Sequence, residues 1–244
     1  MRTDLVLCAA LSLLLVAPAA FAQEKPEDTV GDEPATGPSC DVTGYKTERI
    51  VYPALQAIPD NDAAGITLGP ILMPPDGDLV NDVVLEIRGA HTWIGDLIVD
   101  LVYDPDCSGP AVGIPARVIC RPRGAATDAS LPCGSNTSTV AFGCPADLVA
   151  TGTYLFSDEG LSPMGVGANC SQTLAAGCYR QSDQGGQAFS IWRGLPKGGC
   201  WYLQISDNEG EDTGGIHEWA VWVRNQRPVP ATGMTWGSLK DAYR

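Results

Sequence analysis

The sequence predicts an all-β fold: an antiparallel, jelly-roll-like β-sandwich of about eight or nine strands with a long disulfide-stapled loop region. Three observations predict it. Short apolar runs alternate with period 2 and are broken by Gly, Pro, Asn and Asp, as strands and turns are. No run keeps helical spacing before the last ten residues. Six of the nine cysteines fall within residues 104–186, a Gly-, Pro- and Ser-rich stretch that would be floppy unless cross-linked.

The elements follow in chain order. MRTDLVLCAALSLLLVAPAAFAQ has a basic start, an apolar run and Ala20-Phe21-Ala22 before Gln23, so residues 1–22 predict a secretory signal peptide cleaved after Ala22. The run is too short to span a membrane, and no later stretch reaches 18 apolar residues. Residues 23–39 are acidic, rich in Pro and Gly and aperiodic, which predicts a disordered linker. The sandwich is expected over 40–226. ERIVYPALQ, GITLGPIL and DLVNDVVLEIRG read as strands; in the third, Val83, Leu85 and Ile87 face a core and Val84, Glu86 and Arg88 a partly wet side. HTWIGDLIVDLVYDP places Leu97, Val99, Leu101 and Tyr103 on one face. ARVIC and TYLFSDEG are short strands, and QAFSIWRGL, CWYLQIS and HEWAVWVRN resume strand character. Residues 227–233 are a Pro-punctuated linker, and TWGSLKDAYR beyond it sets Trp236, Leu239 and Tyr243 at i, i+3 and i+7, a brief helical turn.

Composition narrows the function. A net charge of −14 disfavours nucleic acid and anionic membrane surfaces and suits divalent cations and basic partners. Cys8 leaves with the signal, and the remaining eight cysteines form an even set, which in an exported chain favours disulfides over metal. Eight cysteines allow 105 pairings. Neighbour pairing gives Cys107 with Cys120, Cys133 with Cys144 and Cys170 with Cys178, leaving Cys40 for Cys200.

The acidic stretch ISDNEGEDTGGIHEW nearly matches an EF-hand loop, with Asp207, Glu209 and Glu211 at positions 1, 3 and 5 and Glu218 at 12. Position 6 needs Gly and holds Asp212, and both flanks are strands, so it is not an EF-hand. If this loop meets LFSDEG at one end of the sandwich, Asp158, Glu159, Asp207, Glu209 and Asp212 are candidate calcium ligands, because a divalent cation relieves the repulsion of crowded carboxylates. The other reading is a solvated acidic loop in which Gly210, Gly214 and Gly215 supply positive φ.

The two histidines, His91 at a tight turn and His217 at the start of the last strand, read as structural. There is no GxSxG and no HExxH, so no triad or zinc site is expected and the chain is not an enzyme on its own. Asp96, a short acceptor, suits the orphan N–H groups where a strand begins. The tryptophans invite a carbohydrate platform, but most fall on core-facing strand positions. Trp219 and Trp222 differ by three in a period-2 strand and must face opposite ways, which makes one a structural core residue and leaves the other for the outside.

Four segments together resemble the P domain (P/Homo B) that follows the catalytic domain in kexin- and furin-like subtilisin proteases. They are VVLEIRGAHTWIGDLIVDLVYDP, with its His-Thr-aromatic turn and Gly-Asp-Leu; LFSDEG; SIWRGL ahead of Gly199-Cys200-Trp201; and the acidic stretch with Asp-Thr-Gly before Trp219. The likeness covers about residues 55 to 225. It implies a β-sandwich in an accessory, calcium-assisted role, associated with a serine protease but carrying no catalysis. The partner expected is a protein, a protease or a cell-surface component; the alternatives are an accessory or remnant of a subtilisin-like serine protease, with proteolysis supplied in trans, and a carbohydrate-binding module. The Cys-rich segment between Cys107 and Cys178 is longer than the family's usual loops, and here the domain follows a signal peptide and a short linker.

Overall fold

The computed structural model describes residues 40–122, 144–165, 170, 173–181 and 188–226. The signal peptide, the 23–39 linker, Cys133 and the 227–244 tail lie outside them. The nine strands are β1 (Lys46–Ile58), β2 (Asp62–Met73), β3 (Leu79–His91), β4 (Leu97–Asp104), β5 (Ile114–Cys120), β6 (Tyr154–Ser157), β7 (Gly177–Tyr179), β8 (Gly199–Asp207) and β9 (Gly214–Gln226). One sheet has the order β1-β9-β3-β6-β7 and the other β2-β8-β4-β5. Every pairing is antiparallel except β6 with β7.

The period-2 pattern explains how the sheets meet. Val83, Leu85 and Ile87 of β3 and Trp219, Val221 and Val223 of β9 point inward onto Val99, Leu101 and Tyr103 of β4 and Trp201, Leu203 and Ile205 of β8. The bulky centre is aromatic. Trp201 stands edge-on to Trp192 at 5.0 Å, and Tyr103 lies 4.4 Å from Trp201.

The other face of β3 is drier than its pattern suggests, since Val84 and Glu86 are buried as well. Two features cover it. Cys40 is bridged to Cys178 of β7, whereas β1 begins at Lys46 on the opposite edge of the same sheet, so the intervening residues must cross its outer face. Beneath this crossing the Tyr45 hydroxyl bonds Asp82, and the Arg224 guanidinium lies over the Tyr45 ring at 5.3 Å. Glu86 is covered by Arg49, by Arg88 and by the Trp222 indole N–H, which donates to it at 2.9 Å.

The neighbour pairing of cysteines is overturned. The bridges are Cys40–Cys178, Cys107–Cys200 and Cys144–Cys170, and Cys120 is disulfide-bonded but not to Cys107. Sheet register is the reason. Asp104 of β4 sits opposite Cys200 of β8, so the chain leaving β4 delivers Cys107 beside Cys200 across 93 residues of sequence. A second correction concerns QAFSIWRGL. Phe189–Trp192 is a 3₁₀ turn rather than a strand, with Phe189 and Trp192 both buried at the i, i+3 spacing.

All four sheet edges are blunted. β1 contains Pro53 and loses register between Val51 and Gln56, β2 contains Pro70 and two register breaks, β5 contains Pro115, and β7 is three residues long.

Candidate functional site

One end of the sandwich is built by two connections, the β3–β4 turn and the β8–β9 loop. β3 ends in His91, and a 3₁₀ turn Ile94–Asp96 leads into β4. The loop opposite runs from Asp207 to Gly214. His91 Nε2 lies 3.0 Å from Asp207 Oδ2, and neither side chain has any exposed surface. Thr92 and Thr213 clasp each other beside this pair: the Thr92 amide donates to the Thr213 carbonyl at 3.1 Å, and the Thr213 amide to the Thr92 hydroxyl at 3.1 Å. Asn208 donates from its amide and its side chain to the Asp96 carbonyl, at 3.0 and 3.2 Å. Arg121, just past β5, spans the mouth, with one nitrogen 2.7 Å from Glu209 Oε1 and 3.8 Å from Asp96 Oδ1.

Three carboxylates converge on this clasp. Burial, then the negative charges of Asp207 and Asp212, push the Asp96 carboxyl up to about 7, against the opposing pull of Arg121. Burial also raises Asp212, which is partly relieved by its hydrogen bond to Thr92. Asp207 is held by His91 and by the Glu209 amide, which donates to its other oxygen at 3.2 Å. The loop keeps its shape by close approach. A Cβ at Gly214 would lie 2.2 Å from the Ala90 carbonyl oxygen, and one at Gly215 would lie 2.5 Å from that of Gln56. The positive φ in this loop belongs to Glu211 (φ 83), not to the glycines expected to supply it.

The expected capping role of Asp96 is also corrected. Its carboxylate accepts no backbone N–H among the described residues, and its carbonyl is the acceptor instead. His91 closes β3 at the turn, and its main chain exchanges two hydrogen bonds with Leu148.

The five candidate calcium ligands do not come together. Asp158 follows β6, whose Ser157 pairs with Val84, whereas the clasp lies beside His91 on the same strand. Seven residues of β3 separate the two points, roughly 23 Å. Asp158 is already satisfied: it accepts from Gln181 Nε2 at 3.0 Å, the Phe189 amide at 2.7 Å and the Ser190 amide at 2.9 Å, and so caps the 3₁₀ turn from another element. Glu159 is exposed, 3.9 Å from Arg224. Asp207, Glu209 and Asp212 do share the clasp, but no group of three or more such side chains among the described residues stands close enough to hold a metal ion. The residues do not fit one shared calcium ion.

Trp192, Trp201 and Trp219 are fully buried, and Trp222 lies half-buried outside the sheet with Arg49 over it at 5.9 Å, as opposite facing requires. No aromatic side chain among the described residues is exposed. Arg121, Asn208 and Asp158 in its actual role carry no sequence signal; Thr92 and Thr213 lie inside the His-Thr-aromatic and Asp-Thr-Gly motifs.

No family model matches this chain, and no curated protein does. Among solved structures the fold is similar to a chain in the crystal structure of the complex of Aeromonas sobria serine protease and the chaperone, at 14% identity and TM-score 0.37, over 73% of this chain and 26% of that one. The chain therefore spans about a quarter of that chain's length. No helix among the described residues is long and apolar enough to cross a membrane, and three bridges suit an oxidising compartment.

Proposed function

We propose that the chain is an exported, non-catalytic module resembling a P domain, which acts by holding or stabilising a separate protein. The observation that carries this reading is the His91–Asp207 pair. The two segments most specific to the resemblance are brought side by side and tied by that pair, in the interior rather than in a cleft. A general base must reach the proton it removes. An imidazole with no exposed surface reaches only its own carboxylate, so His91 serves the fold. His217, half-buried in β9, has no bonded carboxylate among the described contacts.

The blunted edges turn a partner away from strand addition and toward the faces and connections. The resemblance makes a subtilisin-type serine protease the first partner to look for. Calcium has no part in this reading, because the expected ligands are divided between the two ends.

Thermal profiling of the exported proteins, with and without this chain, tests the proposal. At least one exported protein, cross-linkable to this chain, should melt several degrees lower in its absence. If every exported protein keeps its abundance and midpoint, the stabilising role is wrong. Retention on a polysaccharide with quenched tryptophan fluorescence would replace it with a carbohydrate-binding module.

A further inference from the structure

Period 2 gives the five-stranded sheet a second face, on the side away from the core. Trp219, Val221 and Val223 of β9 point inward, so Glu218, Ala220, Trp222 and Arg224 point outward. Directly paired residues share a face, and the register lays two rows across β1, β9 and β3: Val51, Glu218 and Arg88, then Arg49, Ala220 and Glu86. Trp222 follows on β9, with Thr47 beside it. Residues 40–45 cross the Asp82 end of this face, where Tyr45 bonds Asp82, and the Arg49 and Arg88 side chains remain 38% and 42% exposed. Val51 is 63% exposed.

Two observations point to what covers this face. The first is charge. On these three strands the outward Arg49, Arg88 and Arg224 balance Asp82, Glu86 and Glu218, in a chain whose net charge is −14. Two copies of so acidic a chain repel each other over most of their surface, and a locally neutral face is where they can approach. The second is unmet hydrogen bonding. Arg88 Nε stands 3.3 Å from Glu86 Oε1, yet neither atom makes a hydrogen bond among the described residues, and both are buried, as is the unpartnered Thr47 hydroxyl oxygen. Buried polar groups are costly to leave in that state, and a covering molecule with donors and acceptors of its own relieves it. The blunted edge of β1 directs that molecule onto the face rather than into the sheet.

We propose that two copies of this chain associate through these outer faces, about a twofold axis running along β9. Such an axis lays β1 of each copy over β3 of the other. Arg49 of each copy then stands over Glu86 of the other and brings N–H donors to the carboxylate oxygen that lacks one. The stem of Arg88 packs on Val51. Trp222 meets its own copy at the axis, and Trp and Arg are the side chains that anchor interfaces. Glu218 also meets its copy there, with its charge held by Arg49, which bonds it, and by Arg88 at 3.8 Å. The balanced rows repay a second copy in particular, because the twofold sets each cation of one chain against an anion or an apolar side chain of the other. The inference stands apart from the proposed function and needs no separate protein.

Sedimentation of the full chain over a dilution series tests this. The mass should pass from twice that of the chain to that of the chain on dilution. Arg49→Glu, which sets like charges over each other at Glu86, and Val51→Asp, at an exposed side chain, should each weaken the association by roughly tenfold or more. Leu72→Asp and Leu161→Asp, at exposed apolar side chains outside these three strands, should leave it unchanged. Arg49→Glu also loses contacts within its own chain, so Val51→Asp carries the test if that variant fails to fold. A single monomer mass at every concentration overturns the proposal. So does a dimer that withstands Val51→Asp, or one that gives way to Leu72→Asp or Leu161→Asp.

Discussion

The two ends of the sandwich use the same side chain in opposite ways. At the clasp, Asp96, Asp207 and Asp212 are gathered where water is scarce, and burial, then the neighbouring negative charges, lifts Asp96 to about 7. At the other end Asp158 is satisfied by three N–H donors. An aspartate in a loop is therefore not one kind of evidence. Crowding makes it a store of repulsion held in check by the rest of the fold, and free amides make it a cap. The strand register that separates the ends by the length of β3 decides which.

The largest effect should come from Asp207→Ala. It removes the only bonded side-chain partner, among the described residues, of a buried imidazole and the acceptor of the Glu209 amide together. Losing one member of a buried pair costs about 3–5 kcal/mol, so the midpoint of chemical denaturation should fall steeply at unchanged m-value. A loss under about 1 kcal/mol would mean that the pair does not tie the turn to the loop, and the observation behind the proposed function would go with it.

Asp96 gives the next effect, and its sign is fixed by burial. The folded state holds the Asp96 proton more tightly than the unfolded chain does. The stability it contributes is therefore complete below the ordinary carboxylate range and is lost as pH rises to about 7. The span corresponds to on the order of 4 kcal/mol at most. Asp96→Asn should flatten the fall in stability between pH 4 and 7 and run parallel to the wild type above it. Parallel curves across the whole range would show that Asp96 ionises in the folded chain as it does in water. Asp158 sharpens the contrast: Asp158→Ala leaves the Phe189 and Ser190 amides without their acceptor and costs about 1–2 kcal/mol.

These contrasts also mark what could be read in the chain beforehand. The alternation in VVLEIRG, LIVDLVY, CWYLQIS and HEWAVWV was sufficient for β3, β4, β8 and β9, because period 2 is a local property. Phe189 and Trp192 misled because their burial depends on a cap supplied by Asp158, 31 residues earlier. The cysteines misled for the same reason on a larger scale. Short loops close at less entropic cost, yet Cys107 meets Cys200 because β4 and β8 are already paired. The acidic clusters were seen, but assigning them to one end or two requires the direction of β6 against β3, which no spacing in either segment encodes.

The smallest effect belongs to the rim of the clasp. Arg121 and Glu209 lie 2.7 Å apart, but the Glu209 side chain is 43% exposed, so water and salt screen most of their attraction. Glu209→Gln should cost no more than about 1 kcal/mol, and less still at high salt. The same substitution removes a negative charge that helps to raise Asp96, while leaving Arg121 free to lower it. The pH-dependent fall assigned to Asp96 should therefore end at lower pH and be smaller in Glu209→Gln, even where the overall stability hardly changes. A shift of that curve without a loss of stability separates the two roles of the rim, and a loss of stability with no shift would assign Arg121 to Glu209 alone.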